Sequence, residues 1–552
     1  MKNTSIKIFV FFLSLFCWGC SNNNGDNGAT DTGKSYVHFL QKSISVSGAA
    51  DGVSYVMIEW SNTEWEITYE SGNIVVDVSP MKGGNSEDVK QVSRIKITYN
   101  ANSTLKSRSQ TIHITNKQTG EVSDLLIDQS ALYNAASVTL DMNAKYQYVA
   151  GFGGMYNPKI WLGGNLITTG EMNKMYGPDG LGYSILRLMI YPNQIDWAAD
   201  VQGAKIAQQN GALVFACPWD CTDALADKVT LNNAQVKHLK HENYAAYAAH
   251  IVDYINYMKN NGVNLYAVSI QNEPDMDFTY WTPAEVVDFL KRFGPTIRAT
   301  GVKLMTPEAC GFQPEYTDPV LNDAEALAQS DIIAGHLYQG FIDVNSGSYV
   351  RNRHDYICGL YNSKLSGAGK GGWWMTEHCY TDGENETDSS KWEFRKWDYN
   401  LSHFAKEMHM SMDGYCSAYI DWYLKRFYGA LGDNDSRSPV PVGEITKCGY
   451  ILSHYSKYAT GRTRIKVTSD NGNVLTTAYI NESGSELTLV MLNMANEKLL
   501  VQIPVSGVKN INAVETNGEK NMQTGTTGML DNGEGVYAIL SENSITSIRI
   551  TR

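Results

Sequence analysis

Apolar and polar residues alternate along several short segments between residues 35 and 131. Clusters of Gly, Asn and Ser separate the clearest of them, which are 65–69, 76–78, 95–97, 112–114 and 125–129. A period of two is typical of strands that bury one face, and such clusters are typical of turns. The pattern therefore predicts a small β-sandwich of immunoglobulin type over residues 35–131.

From about residue 137 the pattern changes to short apolar runs that alternate with segments of helical spacing. Eight runs can be placed, at 147–152, 184–189, 213–216, 265–271, 303–307, 332–338, 373–376 and 418–422. Between the third and the fourth, one helix face is indicated by Tyr244, Tyr247, Ile251, Tyr254 and Met258. Eight strand–helix units predict an α/β fold, a (β/α)8 TIM barrel over residues 150–460.

After residue 461, strand-like segments return without helices, at 487–492, 499–503 and 545–550. They predict a C-terminal side β-sandwich over residues 461–552.

The N-terminus has the pattern of an export signal. Lys2 and Lys7 precede an apolar run at residues 8–16 that is too short to span a bilayer. Residues 1–20 are therefore expected to be a signal peptide. Gly19-Cys20 resembles a bacterial lipobox, and a polar flexible linker follows at 21–34. This resemblance implies lipidation of Cys20 and an exported lipoprotein anchored at the outer membrane or cell surface. An ordinary signal peptide with a chance cysteine is the alternative.

The composition narrows the classes of partner. The 552 residues carry 45 Lys and Arg against 58 Asp and Glu, a formal net charge of −13, which argues against nucleic-acid binding. With 12 Trp and 33 Tyr, the chain is rich in rings that stack on sugars or bases. Outside the signal peptide the cysteine spacing fits no zinc or redox motif, so no metal is expected. Cys217 and Cys221 either form a disulfide or remain buried thiols.

Two of the eight apolar runs end in a glutamate, Glu273 within Asn272-Glu-Pro274 and Glu377. The carboxyl ends of barrel strands form the active-site face, and about three strand–helix units place these two across its mouth. Two converging carboxyl groups are what glycoside cleavage requires, one to protonate the leaving oxygen and one to attack the anomeric carbon. Either glutamate alone would equally fit a solvated loop residue. The Asn-Glu-Pro motif together with the second glutamate favours catalysis.

Eight segments, in chain order, carry a family resemblance: Gly151-Phe-Gly-Gly154, Ile185-Leu-Arg187, Phe215-Ala-Cys-Pro-Trp219, Ser269-Ile-Gln-Asn-Glu-Pro-Asp275, Pro307-Glu308, Gly335-His-Leu-Tyr338, Trp374-Met-Thr-Glu-His378 and Trp422-Tyr-Leu-Lys-Arg-Phe-Tyr-Gly429. They resemble glycoside hydrolase family 30 of clan A, from about residue 137 to the C-terminus. The resemblance implies a retaining mechanism with Glu273 as acid/base and Glu377 as nucleophile. It also implies that residues 132–149 hold a linker and the first strand of the side β-domain.

The same resemblance implies roles around the two glutamates. Arg187 and Tyr338 would orient Glu377, and Asn272 would contact the sugar 2-hydroxyl. Trp219 and Trp422 would line the subsite of the cleaved sugar. We interpret His336 and Trp373 as core packing.

The loop after the eighth strand is similar to that of the glucuronoxylanase branch, in which a basic residue and a tyrosine grip a glucuronic acid branch. The corresponding residues are Arg426 and Tyr428, and Lys425-Arg426 would form a basic pair at the cavity rim. A guanidinium matches a carboxylate with a planar fork, although a solvated loop pair is the alternative. Further contacts are expected from Tyr380, Thr387 and Ser389 in the seventh loop and from Tyr280 and Trp281.

The segment at 35–131 resembles the BACON domain of exported saccharide-degrading proteins, where Trp60 or Trp65 would either bind glycan or pack the core. Two departures from the family pattern concern the subsites: Asp421-Trp422-Tyr423 replaces Trp-Trp-Tyr, and the loop at 220–223 lacks the usual Pro and Trp.

The leading hypothesis is a monomeric, exported endo-β-1,4-xylanase that acts on glucuronoxylan or glucuronoarabinoxylan and needs no cofactor. Its partners would be acidic xylan and, through the lipid anchor, a membrane. One alternative is another family 30 activity, an exo-xylanase or a β-1,6-glucanase. The other is an inactive surface glycan-binding protein, which the presence of both glutamates disfavours.

Overall fold

The computed structural model describes residues 33–159, 166–338, 340–343, 346, 348–379, 388–389, 392–531 and 533–552. The chain divides into two compact units, Met1–Leu132 and Tyr133–Arg552. The expected signal peptide and Cys20 lie outside the described residues. Within the described ranges, no helix is long and apolar enough to cross a bilayer.

The N-terminal unit is built from strands. In chain order they are β1 (Tyr36–Phe39), β2 (Ser43–Val46), β3 (Gly52–Ser61), β4 (Thr63–Tyr69), β5 (Val75–Ser79), β6 (Lys82–Asn85), β7 (Gln91–Tyr99), β8 (Arg108–Asn116) and β9 (Val122–Gln129). They form two sheets of order β1-β3-β7-β5 and β2-β9-β8-β4-β6 around one core. Trp60 and Trp65 are buried in that core, so they pack the sandwich rather than present rings to a glycan.

The strands of the second unit are β10 (Asn134–Tyr148), β11 (Gly151–Tyr156), β12 (Ile185–Ile190), β13 (Leu213–Pro218), β14 (Ala226–Leu231), β15 (Ala234–Leu239), β16 (Ala267–Ser269), β17 (Lys303–Ala309), β18 (Ile332–His336), β19 (Trp373–His378), β20 (Cys416–Asp421), β21 (Thr463–Ser469), β22 (Val474–Ile480), β23 (Glu486–Asn493), β24 (Leu499–Pro504), β25 (Asn510–Thr516), β26 (Gln523–Thr524), β27 (Thr526–Met529), β28 (Gly535–Leu540) and β29 (Ser544–Thr551). Its helices are α1 (Thr169–Tyr176), α2 (Ala198–Gln209), α3 (Tyr244–Asn260), α4 (Pro283–Arg298), α5 (Pro314–Asn322), α6 (Ala324–Gln329), α7 (Arg351–Leu360), α8 (Trp397–Tyr399), α9 (Lys406–Asp413) and α10 (Lys447–Ala459).

Eight parallel strands close a barrel in the order β11-β12-β13-β16-β17-β18-β19-β20, which confirms the predicted TIM barrel. The predicted helix between the third and fourth strands is α3, whose buried face includes Tyr247, Ile251 and Tyr254. All side chains of β12, β19 and β20 are buried, because a parallel barrel strand faces the barrel core on one side and the helices on the other.

The first barrel strand begins later than the pattern predicted. Tyr148, within the predicted run at 147–152, instead ends β10, where it pairs with Thr463. β11 begins at Gly151, whose φ of +153° and closeness to Ser184 leave no room for a side chain. The apolar run therefore spans the end of one strand, a tight turn and the start of another.

The side domain wraps ten strands around a separate apolar core, in the order β26-β25-β29-β23-β22-β21-β10-β24-β28-β27. β10 pairs antiparallel with β21 and parallel with β24, so a strand that precedes the barrel completes a sheet that follows it.

A β-hairpin, β14–β15, follows the third barrel strand and was not predicted. Asn232 and Asn233 form its turn with φ of 49° and 65°. Asparagine tolerates positive φ and favours two-residue hairpin turns, so Asn-Asn between two alternating segments was the available signal.

Candidate active site

Glu273 and Glu377 lie at the carboxyl ends of the fourth and seventh barrel strands. Glu377 is part of β19, and Glu273 follows β16 with a φ of 45°. Both side chains are almost fully buried. A carboxylate oxygen of each and a ring nitrogen of His336 all lie within 4.8 Å of one another. The fold therefore brings together the two carboxyl groups that the sequence singled out.

Arg187 of β12 links the polar groups of this centre. Its guanidinium donates to an oxygen of Glu377 and, at 2.7 Å, to Oδ1 of Asn272, and it is fully buried. The same group lies 3.4 Å from Glu308 and 4.5 Å above the Trp219 ring. Although burial opposes a charge, Glu308 and Glu377 raise the pKa of Arg187, so it remains a cation.

Glu377 receives a second donor from Tyr338, whose hydroxyl lies 2.7 Å from Oε1. Burial raises the pKa of Glu377 above its usual value, and Arg187 and the Tyr338 hydrogen bond only partly offset this effect. The two oxygens therefore each accept a hydrogen bond, which fixes the orientation of the carboxyl group.

Glu273 has different neighbours. Its Oε1 lies 2.9 Å from Nδ1 of His336, and the Cys310 thiol donates to the same carboxyl group. Burial raises the pKa of Glu273 to about 7, and the Cys310 hydrogen bond and Arg187 only partly offset this effect. A carboxyl group with such a pKa retains a proton near neutral pH.

The sequence analysis interpreted His336 as core packing. In the structure, its ring instead contacts two polar groups of the catalytic centre. Nδ1 faces Glu273, and Nε2 lies 3.5 Å from the Arg187 guanidinium. Burial lowers the pKa of His336, so the ring is neutral. Because Arg187 only donates, Nε2 accepts and the hydrogen sits on Nδ1, which donates to Glu273. The packing interpretation does hold for Trp373, which is fully buried and donates to the Gly414 carbonyl oxygen at 2.8 Å.

Two buried groups of the centre were missed by sequence reasoning. Glu308 is fully buried in β17 with a φ of 57°, and Cys217 Sγ lies 2.8 Å from its Oε2. Burial raises the pKa of Glu308, but the Arg187 guanidinium outweighs this effect and holds that pKa below its usual value. The signal was Pro307-Glu308 at a strand end. Cys217 and Cys221 are both free, which decides between the two open interpretations of this pair.

The rings of Trp219 and Trp422 have centroids 5.9 Å apart, and Trp219 lies against the Arg187 guanidinium. Asn272 is fully buried, and its Nδ2 finds no acceptor among the described residues. A buried amide donor without a partner is costly unless a ligand supplies the acceptor.

Trp281, expected as a sugar contact, instead stacks on Tyr244 in the core, since an apolar helix face covers it. Tyr280 is half-buried and pairs through its backbone with Lys237.

The basic pair expected at the rim is split by the structure. Lys425 is buried and forms an ion pair with Glu171 at 2.7 Å, because Glu171 in the first turn of α1 faces it. Arg426 is half-buried, with its guanidinium carbon 5.5 Å from the Tyr428 ring, and Tyr428 is itself buried. Of the expected seventh-loop contacts, Tyr380 and Thr387 lie outside the described residues, and Ser389 is exposed.

An eight-stranded parallel barrel with two buried, converging carboxyl groups at its carboxyl face is the arrangement of a TIM-barrel glycosidase. Residues 183–368 match the Glycosyl hydrolase family 30 TIM-barrel domain. The chain is 34% identical to Glucuronoxylanase XynC of Bacillus subtilis strain 168, over 76% of this chain and 92% of that protein.

Among solved structures, a GH30 endoxylanase from Clostridium papyrosolvens C71 is similar, with 29% identity and a TM-score of 0.61 over 75% of this chain and all of that one. The subfamily 8 xylanase Xyn30A from Clostridium acetobutylicum is 28% identical with a TM-score of 0.60, over 76% of this chain and 100% of that one. The chain belongs to glycoside hydrolase family 30.

Proposed function

We propose that this enzyme is a retaining endo-β-1,4-xylanase that acts on glucuronoxylan or glucuronoarabinoxylan. The observation that carries the proposal is the Glu273–Glu377 pair, with oxygens within 4.8 Å of each other. Retaining glycosidases hold their carboxyl groups about 5–5.5 Å apart, whereas inverting enzymes need about 6.5–9.5 Å to admit a water. The xylanases and the glucuronoxylanase among the similar proteins support the choice of substrate.

The proposed reaction has two displacement steps. Glu377 attacks the anomeric carbon and forms a glycosyl ester, while Glu273 gives its proton to the departing oxygen. The Glu273 carboxylate then takes a proton from water as that water attacks the anomeric carbon and releases Glu377. A pKa of about 7 suits Glu273 to both roles, because it can hold and release a proton near neutral pH.

The surrounding residues orient the reacting groups. Arg187 and Tyr338 donate to opposite oxygens of Glu377 and so hold it for attack. The free Nδ2 donor of Asn272 is available to the sugar 2-hydroxyl, since Oδ1 is fixed by Arg187. Trp219 and Trp422 supply apolar ring surface for the sugar at the cleaved bond.

We propose that Arg426, with Tyr428, recognises a (methyl)glucuronic acid branch and so positions the cut. Lys425 is committed to Glu171, and the planar guanidinium of Arg426 in the same loop matches the fork of a carboxylate. The net charge of −13 does not prevent this recognition, because exposed charges are screened beyond about 8–10 Å in salt.

Digestion of glucuronoxylan followed by mass analysis of the products tests the whole assignment. We expect products that each carry one glucuronic acid, at a constant position from the reducing end. Xylose released singly would indicate an exo-xylanase. In a parallel incubation, products from β-1,6-glucan alone would indicate a β-1,6-glucanase, and no products from either polysaccharide would indicate a glycan-binding protein. Each of these three results contradicts the proposal.

Arg426→Ala tests the branch contact. Loss of a hydrogen-bonded charge costs about 1.5–3 kcal/mol, so kcat/KM on glucuronoxylan should fall roughly ten- to a hundred-fold. Activity on unbranched xylo-oligosaccharides should change little. Arg292→Ala, which removes an exposed arginine paired with Asp288 on α4, is the matched control. An equal loss on both substrates would refute branch recognition.

We also propose that the enzyme is exported and anchored through an acylated Cys20, with the BACON-like sandwich as a spacer from the membrane. The sequence at residues 1–20 supports this proposal. Cys20→Ala should release the enzyme from the membrane fraction and abolish incorporation of labelled fatty acid. Continued acylation of the variant would contradict the anchor.

A further inference from the structure

Two histidines and a glutamate form a cluster that the proposed chemistry does not use. We call His238, His241 and Glu285 the hairpin cluster. His238 lies in β15, His241 lies in the short turn that follows, and Glu285 lies in the first turn of α4. The cluster thus joins the hairpin after the third barrel strand to the helix after the fourth.

The three side chains converge on one point. Nε2 of His238 and Nε2 of His241 lie 2.8 Å and 2.5 Å from the same oxygen, Oε1 of Glu285. All ligand atoms of the cluster lie within 4.8 Å of one another. Imidazole nitrogens and one carboxylate oxygen are a donor set that zinc prefers, and two histidines with one glutamate leave a position for water.

The outer hydrogen bonds of the cluster are those of a ligand set. Nδ1 of His238 lies 2.8 Å from Oδ1 of Asp227 in the facing strand β14, which directs Nε2 toward Glu285. The other oxygen of Glu285 accepts from the backbone and the hydroxyl of Thr282, at 2.7 Å and 2.8 Å. Metal-bound histidines and carboxylates are usually held by such partners, which orient them and raise ligand basicity.

The surroundings leave access for an ion. The side chains of His238 and Glu285 are 12% and 11% exposed, whereas His241 is 65% exposed. Zinc bonds of about 2.0–2.1 Å in a tetrahedron separate neighbouring ligand atoms by about 3.3–3.4 Å. The two histidines therefore need to retreat from Glu285 by less than about 1 Å, which rotation of exposed His241 and a small shift of His238 supply.

We propose that His238, His241 and Glu285 bind one zinc ion, which fastens the β14–β15 hairpin to the N-terminus of α4. The hairpin also contacts the segment that follows Glu273. Tyr280 donates from its backbone to Lys237 at 2.8 Å, and Lys237 also forms an ion pair with Asp220 at 2.9 Å. The proposed ion holds two elements together, and it is independent of the substrate proposed above.

Zinc titration of the full exported chain, without a histidine tag and after dialysis against chelator, tests this site. Calorimetry should give one zinc per chain, and zinc at about 100 times Kd should raise Tm by roughly 2–3 °C. Calcium should give neither effect, because it prefers oxygen ligands. No saturable zinc binding in the titration would overturn the proposal.

Two variants separate a metal site from a hydrogen-bonded cluster. His241→Ala removes an exposed ligand and should weaken zinc binding at least ten-fold. Asp227→Asn leaves all three ligands in place and should weaken it roughly 10- to 100-fold. His113→Ala is the matched control, because His113 is also an exposed histidine 2.7 Å from an aspartate, Asp124. Equal zinc affinity in wild type and His241→Ala would place the ion elsewhere and refute the site.

Discussion

The two sides of the catalytic centre surround the same chemical group with different partners. On one side, Glu377 accepts hydrogen bonds from a cation, Arg187, and from the Tyr338 hydroxyl. On the other side, Glu273 faces a neutral imidazole and a thiol, which are weaker donors. Both carboxyl groups are almost fully buried, so burial alone does not distinguish them.

The difference shows how one residue type acquires two roles. Burial raises the pKa of both groups, but the charge-assisted bonds from Arg187 favour the ionised form of Glu377. Among the residues that the structure describes, Glu273 has no direct bond to a cation, and its pKa of about 7 keeps a proton available. The donors on each side therefore support the proposed nucleophile and acid/base roles.

Replacement of Glu377 by Gln should have the largest effect, because Glu377 is the group proposed to form the glycosyl ester. We expect kcat on glucuronoxylan to fall at least about 10⁴-fold, or about 5.5 kcal/mol. Thermal unfolding should show that the variant is folded. Turnover close to that of the wild type would assign the nucleophile to another residue.

Glu273→Ala should be less severe and should depend on the leaving group. Loss of a general acid costs about 10²–10⁴-fold on xylan, whereas an aryl xyloside with an acidic phenol needs little protonation and should retain more activity. Added azide should attack the glycosyl ester and give a β-glycosyl azide. An α-glycosyl azide from this variant would indicate that Glu273 is the nucleophile and Glu377 the acid/base, the reverse of the proposed roles.

The sequence was sufficient for the fold and for both glutamates, because each depends on local pattern. Eight apolar runs define the barrel strands, and a glutamate directly after such a run must lie at the carboxyl face. Family resemblance added Arg187 and Tyr338, and the structure places both against Glu377.

What the sequence did not reveal depends on contacts between distant segments. From the sequence alone, His336 is a buried strand residue. Its contact with Glu273 appears only when the barrel brings their two strand ends together. From the sequence alone, Lys425 is half of a basic pair. The structure shows that α1 brings Glu171 to within 2.7 Å of it. The sequence pattern around a single polar residue at a strand end does not predict its partner. The roles of His336 and Lys425 therefore follow only from the tertiary structure.

Tyr338→Phe tests the donors on the Glu377 side. Loss of one hydrogen bond to a charged group should reduce kcat/KM roughly ten- to a hundred-fold. This hydrogen bond lowers the pKa of Glu377, and Glu377 must be ionised to attack. The low-pH limb of the kcat/KM profile should therefore move to higher pH in the variant.

The matched control is Tyr349→Phe, which removes a hydroxyl that contacts His354 at 2.7 Å. It should leave the profile unchanged. A loss of activity in Tyr338→Phe without movement of the low-pH limb would mean that Tyr338 serves packing and not the charge of Glu377.

Cys310→Ala should have the smallest effect and acts on the Glu273 side. Glu273 must be protonated to donate, so kcat/KM of the wild type should fall as the pH rises through about 7. The Cys310 thiol donates to Glu273 and lowers its pKa. Without that thiol, the pKa of Glu273 should rise and the high-pH limb should move to higher pH. Cys310→Ser retains a donor and should keep the limb near its wild-type position, whereas a downward shift in Cys310→Ala would show that the thiol does not stabilise the Glu273 carboxylate.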